Sequence, residues 1–260
     1  MAQADPPFQP MFHAPREDDL STHRHRVVIG ALGAALPLLV WLVSSLRPTE
    51  PPLVEPLSSI SAYYYSGAVA IFTGILACLA VYFFTYSGYD NADRWKDRTA
   101  SLITGVAAIG VACFPTDAPS KMLALPWWHP YQRTIHLISA AMLFGGFIFF
   151  AFFLFPKSDK RQRTPEKRAR NIIYRGCGLL MLVAIVSAGL RARARQPIFW
   201  LETIALEAFA ISWLVKGRVR WTARQLLHRA RNPKKFAEHV LDSARRPHRK
   251  RQPRATVDPS

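Results

Sequence analysis

Serine, aspartate, histidine and glutamate, residue types that do chemistry, stand at the ends of apolar runs in this sequence. Ser61 lies in "SISAYYYSG" with Tyr63 beside it, Asp117 in "CFPTDAP", His136 in "WWHPYQRTIH" and Glu202 in "PIFWLETIALE". A serine, an aspartate and a histidine are the parts of a nucleophilic or a metal-assisted hydrolase. Neither set is complete by spacing. No G-x-S-x-G elbow surrounds Ser59 or Ser61. His129 and His136 would stand ~10.5 Å apart along one helix, too far to close on one ion unless His129 leaves the helix. No Cys/His metal spacing occurs, so neither metal nor cofactor is expected. What remains is hydrogen bonding: His136 and Glu202 are expected to bond a ligand or each other, in a pocket walled by Ser61, Tyr63 and Asp117.

Membrane helices must position these residues. Half of the 260 residues are hydrophobic, and they are blocked into runs rather than spread at helical or strand spacing. Six runs, near 27–46, 63–86, 99–114, 135–155, 172–190 and 198–215, are candidates to cross a hydrocarbon core of about 30 Å. The third is short and the fifth carries Arg175. They lack the period-2 alternation of a barrel, so they must satisfy their own backbone as helices. The expectation is an all-α, polytopic transmembrane bundle of six spans forming one domain over 27–215. A polar, proline-containing tail over 1–26 reads as disordered rather than as a signal peptide. Cys78, Cys113 and Cys177 fall inside apolar runs, so no disulfide framework is implied.

Charge orients the bundle. Lys and Arg number 34 against 17 Asp and Glu. With alternating spans, 28 of the 34 fall on one side and six on the other. The positive-inside rule then places both termini in the cytoplasm. Arg191, Arg193 and Arg195 oppose the rule locally.

In that orientation all five candidate residues share the outer face. With Pro130 as first helical residue, His136 lies ~9 Å further along the axis. Glu202 stands about one turn into the sixth run, and Glu207 ~7–8 Å deeper and about 140° round, so the two do not line one narrow pocket. Plainer roles compete at each position. The tyrosines at 63–65, Trp127, Trp128, Tyr131 and Trp200 make an aromatic belt. Ser59 and Ser61 suit a helix cap, Asp117 a turn, and Glu202 a pair with Arg191 or Arg195. Gly30, Ala34, Gly105, Gly110, Gly145, Gly146 and Gly176 read as helix-packing positions. His136 is the strongest functional candidate, because a histidine below the interface needs a partner.

From Lys216 onward the chain mixes Leu226, Leu227, Phe236 and Val240 with basic residues. The tail over 216–260, partly an amphipathic helix, is expected on anionic lipid headgroups of the cytoplasmic leaflet rather than on nucleic acid.

"SISAYY", "YSGYDNADRWKDRTASLITGVAAIGVACFPTD", "IHLISAAMLFGGFIFFAFFLF" and "FWLETIA" together resemble a group of uncharacterised bacterial six-helix inner-membrane proteins. The layout over about 27–217 is also similar to the DRAM-like family, which includes eukaryotic proteins of autophagy modulation and lipid-anchor remodelling. The resemblance carries to Ser61, His136 and Glu202 by position. It departs at Tyr65, where the bacterial group is expected to have a histidine. The resulting expectation is an integral membrane protein that binds a lipid headgroup in lipid or envelope homeostasis. Two alternatives stand beside it: a metal-dependent or serine lipid hydrolase, and a small transporter with a site near Glu207. The transporter reading lacks matching helix breaks and an inverted repeat.

Overall fold

The computed structural model describes residues 17–46, 55–86, 94–120, 122–156 and 165–217, with side chains from His23 in the first segment and from Lys167 in the last. Residues 1–16 of the expected polar tail and 218–260 of the basic tail lie outside the described residues. Among the described residues there are six α-helices and no strand: α1 (Glu17–Leu46), α2 (Val69–Thr85), α3 (Arg94–Cys113), α4 (Pro130–Phe149), α5 (Pro165–Arg193) and α6 (Phe199–Lys216). A 3-10 helix, Ser61–Tyr65, precedes α2, and a π-helix, Phe150–Leu154, extends α4.

Local chemistry explains several of these boundaries. His129 is extended at φ −134° and ψ 150°, as the residue before a proline prefers, and Pro130 then opens α4 where no donor is lost. The tyrosines at 63–65, expected inside the second span, instead form the 3-10 turn. Ser66 separates them from α2 by donating its hydroxyl to the Tyr63 carbonyl at 2.9 Å and accepting from the Ala68 N–H at 3.1 Å. α2 therefore starts at Val69.

Consecutive helices pack against one another, and α6 closes the ring on α1. Aromatic rings fill the middle. Phe147 of α4 stacks on Phe209 of α6 with centroids 3.8 Å apart, and Phe83 of α2 lies 5.6 Å from Trp213. All four rings are fully buried or nearly so. Small residues let the backbones approach. A Cβ at Gly110 of α3 would run into the Ser139 hydroxyl of α4, and one at Gly146 into the Thr104 hydroxyl. Gly30 and Gly105 face neighbours at similarly short range, whereas Gly145 and Gly176 meet open space.

Among the described residues three helical stretches are long and apolar enough to cross a membrane: His23–Leu46, Pro130–Leu154 and Lys167–Arg193. α2 is apolar but shorter. α3 opens on Arg94, Lys96, Asp97 and Arg98, and α6 carries Glu202, Glu207 and Lys216, which dilutes both. Only 28% of the apolar window in α5 is buried, and Leu179, Leu182, Val183 and Val186 face outward. An apolar exterior of this kind suits lipid better than water.

Candidate functional site

Buried polar groups gather at the two ends of the bundle. One end holds the close of α1, α3 and α5 and the start of α2, α4 and α6, and there the five residues singled out in the sequence are found. They do not converge on one cavity. Instead they make two junctions.

The first joins the segment before α2 to α6. The Glu202 carboxylate accepts the Ile60 N–H at 2.6 Å, capping the 3-10 helix from a residue far along the chain. In return the Ser58 carbonyl accepts the N–H groups of Ile198 and Phe199 at 2.7 and 3.0 Å, at the start of α6. Each element thus satisfies orphan donors at the start of the other. Ser59 accepts the Ala62 N–H at 3.0 Å, and its hydroxyl also bonds that of Ser61 at 3.0 Å. Tyr63 is fully buried against Phe199, its hydroxyl accepting the Leu57 N–H at 3.2 Å beside Ser44. Ser61, Tyr63 and Glu202 are therefore close together, held by their own chain. Glu202 takes a backbone partner rather than Arg191 or Arg195.

The second junction joins the end of α3 to the start of α4. His136 is buried, and its Nδ1–H donates to the Phe114 carbonyl at 2.6 Å. The histidine thus serves an orphan carbonyl just past the C-terminus of α3, as a histidine near a helix end does. Tyr65 ties the junctions together by donating its hydroxyl to the Thr116 carbonyl. Asp117 stands apart, paired with Arg133 at 3.2 Å with both side chains more than half exposed.

One turn before His136 on the same face of α4 lies Gln132, also buried. Its Nε2 donates to the Trp127 carbonyl at 3.3 Å, which fixes the amide orientation and leaves Oε1 buried without a partner. The indole Nε1–H of Trp128 is buried without a partner as well. An unsatisfied acceptor and an unsatisfied donor thus stand in the segment that also carries the exposed rings of Trp127 and Tyr131. Sequence reading missed Gln132, although Gln132, His136 and Ser139 form a polar stripe at helical spacing.

The opposite end is built from charge. Arg26 of α1, Asp97 of α3 and Lys216 of α6 are all buried there. Arg26 donates from Nε to the Tyr86 hydroxyl at 3.4 Å and its guanidinium lies 5.7 Å from that ring. Lys216 donates to the Phe155 carbonyl at 2.8 Å, just past the π-helix, and sits over the rings of Phe155 and Tyr174 at 5.2 and 5.6 Å. A cation in the last turn of α6 also suits the helix dipole. Asp97, Arg26, Lys167 and Arg170 all lie within electrostatic reach of Lys216. In the sequence Arg26 and Lys216 counted only toward orientation. Asp97, Ser101 and Thr104, a buried stripe at helical spacing on α3, were the available signal.

Among the described residues no group of three or more His, Cys, Asp and Glu comes together that could hold a metal ion. Ser61, Asp117 and His136 each have a different partner, so the constellation of a metal or serine hydrolase is not assembled among them. Comparison of the chain with protein-family models, with characterised proteins and with solved structures finds no match.

Proposed function

We propose that this chain is a six-span protein of the bacterial inner membrane, with both termini cytoplasmic, that holds a lipid headgroup at its outer face in lipid or envelope homeostasis. Its three long apolar helices favour spanning, and α2, α3 and α6 complete the same ring of packed neighbours. α6 packs between α5 and α1, and α2 and α3 lie together between α1 and α4, which favours a common depth for all six. The observation that carries the headgroup site is two buried polar groups without a partner at the start of α4, the Gln132 Oε1 acceptor and the Trp128 Nε1–H donor. Buried polar groups seek partners. A headgroup that offers both a donor and an acceptor, such as a hydroxyl or an ammonium beside a phosphate, completes both. His136 holds the end of α3 beneath that site, and the Glu202 junction fixes the adjoining loop.

The test is lipid and metal content of mildly detergent-purified wild type, Gln132→Leu and His136→Ala. One lipid class retained by the wild type and depleted in Gln132→Leu supports the site. Equal lipid content in wild type and Gln132→Leu overturns it. Stoichiometric zinc lost in His136→Ala would replace it with the hydrolase reading. Accessibility of single cysteines placed at Ser59, Asp117 and Arg195 to a membrane-impermeant reagent on spheroplasts tests the topology, and all three should label from outside.

A further inference from the structure

A groove of about 470 Å³ opens at the charged end, between the close of α2 and the start of α3, lined by Phe84, Thr85, Arg94 and Arg98. The two arginines are exposed and stand one turn apart on one face of α3. Arg98 is held in place: its Nη1 donates to the Phe84 and Tyr86 carbonyls, which close α2. A guanidinium has five donors, so Nε and Nη2 stay available for a planar or tetrahedral oxyanion. Thr85 already donates to the Val81 carbonyl at 2.8 Å, so the bond between it and His25, 2.9 Å long, runs from the imidazole Nε2–H.

The face of α3 that carries the arginines continues as Leu102, Val106 and Ile109, spaced four, four and three residues apart. All three are exposed, at 38%, 59% and 38%. A helix face with two guanidiniums followed by three unpartnered apolar residues matches an amphiphile. The length matches as well. From Arg98 to Ile109 the axis rises ~16 Å, about half of a 30 Å hydrocarbon core. A soluble anion would use the arginines alone, whereas an amphiphile uses the arginines and the adjoining apolar stripe together. A zwitterionic lipid would bring its own cation against them.

From this we infer that the α2–α3 groove is a binding site for an anionic phospholipid, with its phosphate on Arg94 and Arg98 and an acyl chain along Leu102, Val106 and Ile109. The site lies at the opposite end from Gln132 and does not depend on it. It does rest on α3 spanning the membrane.

The full chain is purified in a neutral detergent and titrated with phosphatidylglycerol, phosphatidylcholine, glycerol phosphate and inorganic phosphate, with bound lipid counted by native mass spectrometry. Phosphatidylglycerol should bind in preference to phosphatidylcholine, and Arg94→Gln should weaken it about tenfold. Because Arg98 also closes α2, Arg94→Gln and Val106→Ser carry the test. Val106→Ser should weaken phosphatidylglycerol while leaving glycerol phosphate unaffected. Equal retention by Arg94→Gln and wild type overturns the site. Competition by glycerol phosphate or inorganic phosphate as effective as that by the lipid overturns the lipid assignment. Release of the protein from membranes by alkaline carbonate without detergent would sink the spanning reading itself. Any lipid that is lost in Gln132→Leu should be kept in Arg94→Gln and Val106→Ser, which separates failure here from failure of the outer site.

Discussion

The two ends of this bundle solve the same problem with different chemistry. At the Glu202 end, loops and helix starts exchange hydrogen bonds, most of them with backbone N–H or C=O groups. At the Lys216 end, the groups brought inside are Arg26, Asp97 and Lys216, cushioned by Tyr86, Phe155 and Tyr174. A hydrogen bond to backbone fixes where a segment sits at modest cost. Buried charge ties three distant helices to one another, but each member then depends on the rest.

That difference sets an order of sensitivity. Arg26→Ala is expected to cause the largest loss, about 3 kcal/mol, because it removes one member of a buried charged group and its contact with Tyr86. Unfolding in mixed detergent against wild type would measure it, and a stability like wild type would mean the charges are solvated rather than buried. Next comes Glu202→Ala, at about 1–3 kcal/mol, because the Ile60 N–H loses its acceptor. Glu202→Gln keeps an acceptor oxygen and should lose less. Amide exchange at Ile60 reads this directly, and similar protection in both variants would break the view of Glu202 as a cap. The smallest effect is Asp117→Ala, below about 1 kcal/mol, since its partner Arg133 is exposed and salt screens the pair. A larger loss, insensitive to salt, would show that the Asp117 turn has a role beyond this pair.

Much of the framework was legible in the residues. The apolar runs located the six helices among the described residues, and Pro130 marked the start of α4. Gly105, Gly110 and Gly146 are close-approach positions as read. Ser59 accepts the Ala62 N–H, and His136 bonds a backbone carbonyl. Other features depend on neighbours that no local pattern reveals. The partner of His136 is the Phe114 carbonyl and that of Glu202 is the Ile60 N–H. Backbone groups look alike at every position of a sequence, so a side chain that bonds them gives no complementary residue type to search for. Gly145 sits beside Gly146 in the chain yet meets nothing, because adjacent helical residues point about 100° apart.

By itself the sequence determined a basic chain, helical over the described residues, with apolar stretches of membrane length and polar residues collected at the ends of the runs. Those properties follow from composition and period, which act along the chain. Only the tertiary structure decided that Ser61, Tyr63 and Glu202 form a junction separate from His136, that Asp117 pairs outside it, and that Arg26, Asp97 and Lys216 share an interior. Pairings of this kind arise from which helix faces meet and at what height, and those are set by packing of the whole ring.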